Sequence, residues 1–230
     1  PHDEIVARFA HYVNRLKPNR KSVVITLGAT RSPIDDIRYV QNTSSGATGF
    51  QIADYLHRHG HDVTCVAGLT NYTRPEWLPL TLSADKPDDM LAELNALAND
   101  EIDAWIHAAA VLDYVVKSPA EGKLASQQGP LTVELIESSK HILELKKKCS
   151  DAVRIGFKLE TGIKQKELVR RAFSQLEYAE MTAVVANRLE DINDDTKPRA
   201  YLVDSTGADY TLQTMLDVCV AITTIIERGV

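Results

Sequence analysis

Residues 23–49, VVITLGATRSPIDDIRYVQNTSSGATG, decide how the chain is read. The β-branched run Val23 to Leu27 has no polar alternation, as expected of a parallel strand buried on both faces, and it breaks at Gly28-Ala29-Thr30. The next helix begins only near Gly46 and carries Phe50, Ile52, Ala53 and Leu56 on one face. The polar loop between them holds Arg31, Arg38, Asn42, Ser44 and Ser45, so cations, an amide and helix N–H groups are available to an anion. On propensity alone Thr43 to Gly46 reads as an N-cap with a flexible turn, and Asp35 and Asp36 as ordinary turn residues.

Outward from this stretch the same pattern repeats. The helix ends at His59-Gly60, and His61 to Ala67 gives a second strand. Residues 69–88 read as loop with a short strand at most; Trp77 there reads as a surface anchor. A helix over Asp88 to Asn99 leads to a third strand, Ile102 to Ala109, which ends in His107-Ala108-Ala109-Ala110-Val111-Leu112-Asp113-Tyr114. Small residues at a strand's carboxyl end admit a ligand close to the backbone. Asp113 is then placed to meet a metal ion or a nucleotide hydroxyl, or to serve as a turn residue, and His107 reads as core. Residues 115–133 are polar and without period, as in a mobile flap.

Further strands are expected over Leu131 to Ile136, Val153 to Leu159 and Thr182 to Asn187, with a helix from Thr161 to about Tyr178. A hairpin around Ser205-Thr206-Gly207 and a helix over Met215 to Ile226 close the chain. Asp3 to Leu16 reads as an amphipathic helix stopped at Lys17-Pro18. The start at Pro1 suggests processing or a segment of something longer.

The 230 residues suit one large α/β domain or two small ones. A net charge of −6 argues against general nucleic-acid binding, and no apolar run is long enough to span a bilayer. Cys65, Cys149 and Cys219 have no metal-site spacing and suit a reducing, cytoplasmic compartment.

Four motifs together resemble the phosphopantothenoylcysteine synthetase family of coenzyme A biosynthesis. They are Gly28-Ala29-Thr30-Arg31-Ser32-Pro33-Ile34-Asp35 with Arg38-Tyr39 and Asn42-Thr43-Ser44-Ser45-Gly46; Ala108 to Tyr114; Gly156-Phe157-Lys158-Leu159-Glu160-Thr161; and Val185-Ala186-Asn187. The resemblance implies a Rossmann-like three-layer α/β fold with a mainly parallel sheet, residues 1–20 as an N-terminal helix or linker and 21–230 as one domain. It implies a ligase that joins 4'-phosphopantothenate to cysteine through an acyl-nucleotidylate, using CTP or ATP and Mg2+. Asn42, Arg38 and Lys123 would be catalytic. Gly28, Ala29, Thr30, Ser44, Ser45, Gly46, Ala109, Asp113, Phe157 and Lys158 would bind nucleotide, Arg38, Asn42 and Asn187 substrate, and Asp113 the metal. A homodimer and a fused or separate phosphopantothenoylcysteine decarboxylase are implied partners.

The chain departs from the family where lysines are usual, carrying Ala47, Gln175 and Ala179 instead; Lys140 and Lys158 are available as substitutes. Two readings stay open beside the ligase: a non-catalytic homologue that binds nucleotide or phosphopantothenate, and a ligase for another acid. A nicotinamide-dependent oxidoreductase fits poorly, because the first turn lacks Gly-x-Gly-x-x-Gly.

Overall fold

The computed structural model describes residues 2–78, 80–99, 101–126, 129–149, 151–207 and 209–229. Positions 127 and 128 of the expected flap and 208 of the expected hairpin lie outside the described residues. In chain order the elements are α1 (His2–Asn14), β1 (Ser22–Leu27), β2 (Arg31–Pro33), β3 (Tyr39–Gln41), α2 (Ala47–Arg58), β4 (Asp62–Ala67), β5 (Leu80–Ser83), α3 (Pro87–Leu97) and β6 (Ala104–His107). They continue with β7 (Tyr114–Val116), β8 (Leu135–Glu137), α4 (His141–Glu144), β9 (Val153–Glu160), α5 (Gln165–Ala179), β10 (Ala183–Arg188), β11 (Ala200–Asp204), β12 (Asp209–Leu212) and α6 (Met215–Arg228).

Eight strands form the central sheet in the order β12-β11-β10-β9-β6-β1-β4-β5, parallel from β10 to β5 and antiparallel at the β11–β12 hairpin. The order reverses about β1, which pairs with β4 on one side and β6 on the other, so a crevice opens at the strands' carboxyl ends there. Alternate β1 side chains serve opposite layers. Val23, Ile25 and Leu27 pack with Phe50, Ile52 and Leu56 of α2 and Ile222 and Ile226 of α6, whereas Val24 packs with Met90 and Leu94 of α3 and Trp105 of β6. Leu168, Ala172 and Leu176 of α5 pack on Val184, Ala186 and Tyr201 of β10 and β11. The sheet thus lies between two helix layers, as expected. Thr214 and Asp217 cap α6 reciprocally, the threonine Oγ1 accepting from Asp217 N at 3.1 Å and the Asp217 carboxylate from Thr214 N at 2.8 Å. Among the described residues no helix is long and apolar enough to cross a membrane.

The structure differs from the sequence reading at several elements, and of the expected strand Leu131 to Ile136 only Leu135–Glu137 forms, outside the central sheet. Leu80–Ser83, read as a short strand at most, is a full parallel partner of β4 and forms the edge of the sheet. The long opening loop contains its own ribbon, β2 paired with β3, and the flap rises from a second, β7 paired with β8. On α1 Ala7 faces the body and the large apolar residues do not: Ala7 is buried, but Ile5 and Phe9 are each 67% exposed.

Helix α1 is held through polar contacts instead. His11 stacks on His57 of α2 with centroids 4.0 Å apart, and Asn14 Nδ2 donates to the Arg58 carbonyl at 2.7 Å. Burial and then His11 push the His57 imidazole down to about 4, against the opposing pull of Asp54 and with Arg8 and Arg58 adding to the fall. Burial, with Arg154 and His141 contributing, pushes His107 down to about 3. Both groups stay neutral in the folded chain where the unfolded chain, near pH 6.5, already takes up protons. Stability is therefore unaffected above about pH 6.5 and falls as the pH drops toward 4. The expected loss between pH 7.5 and 5 is of the order of 2 kcal/mol for each histidine, measured by urea unfolding, and His57→Gln should remove its share.

Candidate active site

The turn after β1 is stitched to the loops after β4 and β6. Ala29 N donates to the Leu69 carbonyl (2.9 Å), Leu69 N to Ala29 (2.7 Å), Ala110 N to Gly28 (2.8 Å) and Thr30 N to Ala110 (3.1 Å). Gly28 adopts φ +80, and a Cβ there would stand 2.7 Å from the Leu69 carbonyl oxygen. Alanine at 28 thus meets both a left-handed backbone and a fixed backbone atom. Gly28→Ala is expected to cost about 1–3 kcal/mol, measured by urea unfolding.

Asn42 returns the opening loop to this patch, its N donating to the Thr30 carbonyl (3.3 Å) and its Nδ2 to the Ala110 carbonyl (3.1 Å). Thr30 is buried and its Oγ1 accepts from Leu112 N at 2.9 Å, fixing the approach to Asp113. Ala109 N donates to Thr26 Oγ1 at 3.2 Å. The N-cap of α2 falls within the stretch Thr43 to Gly46, but no side chain there caps the helix. Gly46, at φ +78, is the N-cap with no side-chain cap, while Ser44 Oγ accepts from Gly46 N (3.4 Å) and Ser45 Oγ from Ala47 N (3.2 Å). The left-handed glycine turns the chain before a side chain can reach N2 or N3, so the first turn keeps donors suited to an anion.

The turn at residues 34–38 carries a buried carboxylate that sequence reasoning passed over. Asp35 is 1% exposed and accepts from Ile37 N (2.9 Å), Arg38 N (2.7 Å), Arg38 Nη1 (2.6 Å) and Leu124 N (3.1 Å). Burial alone would raise its pKa, but the three backbone donors and the Arg38 guanidinium hold it below the ordinary value. Arg38 Nη2 also donates to the Leu124 carbonyl (3.3 Å), and Ala120 N donates to the Ile34 carbonyl (2.9 Å). Lys123 itself is exposed, one residue from the Asp35 clamp. The flap segment is thus fastened to the opening loop on both sides of Lys123, and a cavity of about 220 Å³ beneath it is lined by Ile34, Val116, Leu124 and Leu131.

Two strands away, Phe157 is half-buried against the core and its carbonyl accepts from Gln175 Nε2 at 3.3 Å. Lys158 Nζ lies 3.1 Å from Glu160, which also binds Arg171. Asn187 is buried at the end of β10; with its amide turned to match its neighbours, the nitrogen donates to the Lys158 carbonyl (3.3 Å) and the oxygen accepts from Arg199 Nη1 (3.0 Å). Arg199 Nη2 reaches across to Thr48 Oγ1 of α2 at 2.8 Å. Gln175 and Ala179 are uncharged and both are buried. Lys140 Nζ lies 6.0 Å from the Tyr178 ring centroid.

Of the sequence-predicted residues, Gly28, Ala29, Thr30, Asn42, Ser44, Ser45, Gly46 and Ala109 form one patch, and Phe157, Lys158 and Asn187 a second. Arg199 and Thr48 join the two. Arg38 and Lys123 form a third group around Asp35. Asp113 stands exposed beyond Leu112, and among the described residues no group of three His, Cys, Asp or Glu is placed to hold a metal. Asp113 alone would offer one carboxylate to a magnesium ion whose other oxygen ligands came from a bound phosphate or from water. The cysteines are buried, and burial pushes the thiols of Cys65 and Cys219 up to about 12, so they are inert.

An open, mostly parallel sheet with this carboxyl-edge crevice belongs to a recognisable family. Residues 19–228 match the DNA/pantothenate metabolism flavoprotein C-terminal domain, and the chain is a member of that family. The Coenzyme A biosynthesis bifunctional protein CoaBC of Thermococcus kodakarensis is 35% identical over 189 residues, which are 82% of this chain and 46% of that protein. The chain thus spans about half the length of the curated relatives it matches. The solved C-terminal domain of a CoaBC protein is similar with a TM-score of 0.75 and 26% identity, covering 94% of this chain and 97% of that one. The DNA/pantothenate metabolism flavoprotein from Streptococcus pneumoniae shares the fold, with a TM-score of 0.81 at 22% identity over 90% and 99% of the two chains.

Proposed function

We propose that the chain is a phosphopantothenate-cysteine ligase acting in coenzyme A biosynthesis. The observation that carries this reading is the convergence of the Asn42 amide, the uncapped start of α2 and the laced loops after β1 and β6 on one crevice. Membership of the family and likeness to CoaBC proteins support it.

In the proposed reaction a carboxylate oxygen of 4'-phosphopantothenate attacks the α-phosphorus of a nucleoside triphosphate, CTP or ATP. The bond to the bridging oxygen breaks and pyrophosphate leaves. Cysteine's amine then attacks the acyl carbon, the acyl C–O bond breaks, and the nucleoside monophosphate departs with one original carboxylate oxygen as the amine loses a proton. Asn42 donates to the carbonyl oxygen as charge develops on it. Arg38, set by Asp35, and Lys123 supply positive charge from the flap side. Ser44, Ser45, Gly46 and the turn Gly28 to Thr30 face phosphate, Phe157 and Lys158 the nucleotide, and Asn187 steadies the substrate side through Arg199. Magnesium, when bound, neutralises phosphate charge, and Asp113 would hold it.

The absence of lysine at 47, 175 and 179 favours the second reading, a family member that binds these ligands without turning them over. Pyrophosphate release by the purified chain with magnesium, comparing CTP with ATP, separates the two. Release that requires 4'-phosphopantothenate supports the ligase; nucleotide binding without release supports the binding protein.

A further inference from the structure

Arg199 precedes β11, outside every motif of the sequence, yet its guanidinium sits where the two halves of the crevice meet. Nη2 donates to Thr48 Oγ1 at 2.8 Å and the backbone N to the Gln213 carbonyl at 3.3 Å; with the Asn187 amide turned so that its oxygen meets a donor, Nη1 donates to Asn187 Oδ1 at 3.0 Å. Both side-chain partners are neutral. Arginines elsewhere along this edge are charge-paired: Arg31 with Asp85 at 2.5 Å, Arg38 with Asp35 at 2.6 Å and Arg188 with Asp191 at 2.6 Å. Among the described residues Arg199 has no carboxylate partner, although it is half-buried. Burial alone shifts it, lowering its pKa, with no neighbouring charge to compensate.

Its position is also electrostatically unfavourable for the free protein. Thr48 lies in the first turn of α2, the positive end of that helix, where a cation is repelled rather than attracted. A half-buried cation without a counter-ion carries a desolvation cost that a bound anion offsets. Two of the guanidinium's five N–H donors are used on Thr48 and Asn187, which fixes its plane and leaves three for a ligand. A planar fork held at two corners suits bidentate capture of a phosphoryl group.

We propose that Arg199 is a phosphoryl-binding residue of the crevice, fixed by Thr48 and Asn187 to receive either the polyphosphate of the nucleotide or the phosphate of the phosphorylated acid. The assignment rests on the ligand classes proposed above but does not require turnover. Arg199→Gln keeps hydrogen-bonding capacity toward its neighbours and removes the charge. Calorimetric titration of the whole chain with inorganic tripolyphosphate and, separately, with 4'-phosphopantothenate compares the two sources. Arg199→Gln is expected to weaken one of the two by about tenfold or more, with Arg199→Lys intermediate and the urea midpoint of both variants close to the parent. In an active enzyme the KM for that same ligand rises while kcat and the KM for cysteine stay near the parent values. Affinity for both ligands within twofold of the parent overturns the proposal, as does a parent chain that binds neither. A parent that binds but does not release pyrophosphate rejects the ligase reading and leaves the affinity comparison to decide on Arg199.

Discussion

Asn42→Ala is expected to lower the rate of phosphopantothenate-dependent pyrophosphate release by about a hundredfold or more. The Asn42 amide is held at the crevice by its bond to the Ala110 carbonyl and by its backbone bond to Thr30, so its position is set before substrate arrives. A donor placed in advance contributes most where charge appears only in the transition state, and its loss falls on kcat more than on KM. Titration with CTP or ATP should therefore show nearly unchanged nucleotide affinity in the variant. A fall in affinity equal to the fall in rate would assign Asn42 to binding instead.

The second large effect is expected at Asp35, which touches no substrate group in the proposed reaction. Removing its carboxylate in Asp35→Ala releases Arg38 on one side and Leu124 of the flap on the other. Both residues assigned to the flap side then lose their fixed geometry, and misplacement by about 1 Å is enough to cost about a hundredfold in rate. A tenfold to hundredfold loss of turnover is expected, with faster tryptic cleavage after Lys123 as an independent sign that the flap has come free. Asp35→Asn keeps an acceptor oxygen without the charge and should fall between. Because the folded carboxyl is held below its ordinary value of 3.8, the clamp is fully charged above about pH 5 and is lost only as the pH falls through the acid range below that. Turnover near neutral pH therefore owes no pH dependence to Asp35.

Much of the sheet is legible because its strands announce themselves locally. Val23 to Leu27, Val153 to Leu159 and Thr182 to Asn187 are apolar runs closed by small or polar residues, and buried parallel strands need little else. Leu80–Ser83 is harder to read: it is short, follows a proline-containing loop, and gains its identity by pairing with β4. The outward face of α1 inverts the usual inference from periodicity, since the stacked His11–His57 pair and Asn14, not the apolar stripe, dock it. Within the site, Asn42 and the glycine turns stand in contiguous motifs. Asp35 looks like a turn residue until Leu124, far along the chain, is seen to donate to it. Arg199 has no local signal, because Asn187 and Thr48 reach it only through the folding of three separate segments.

The most direct test follows an atom. With 4'-phosphopantothenate labelled with ¹⁸O in its carboxylate, activation as an acyl-nucleotidylate requires one labelled oxygen to leave with the nucleoside monophosphate when cysteine displaces it. Mass spectrometry of the products should find one ¹⁸O in the monophosphate and none in pyrophosphate. Label in inorganic phosphate, or amide formation with an unlabelled monophosphate, would contradict the account.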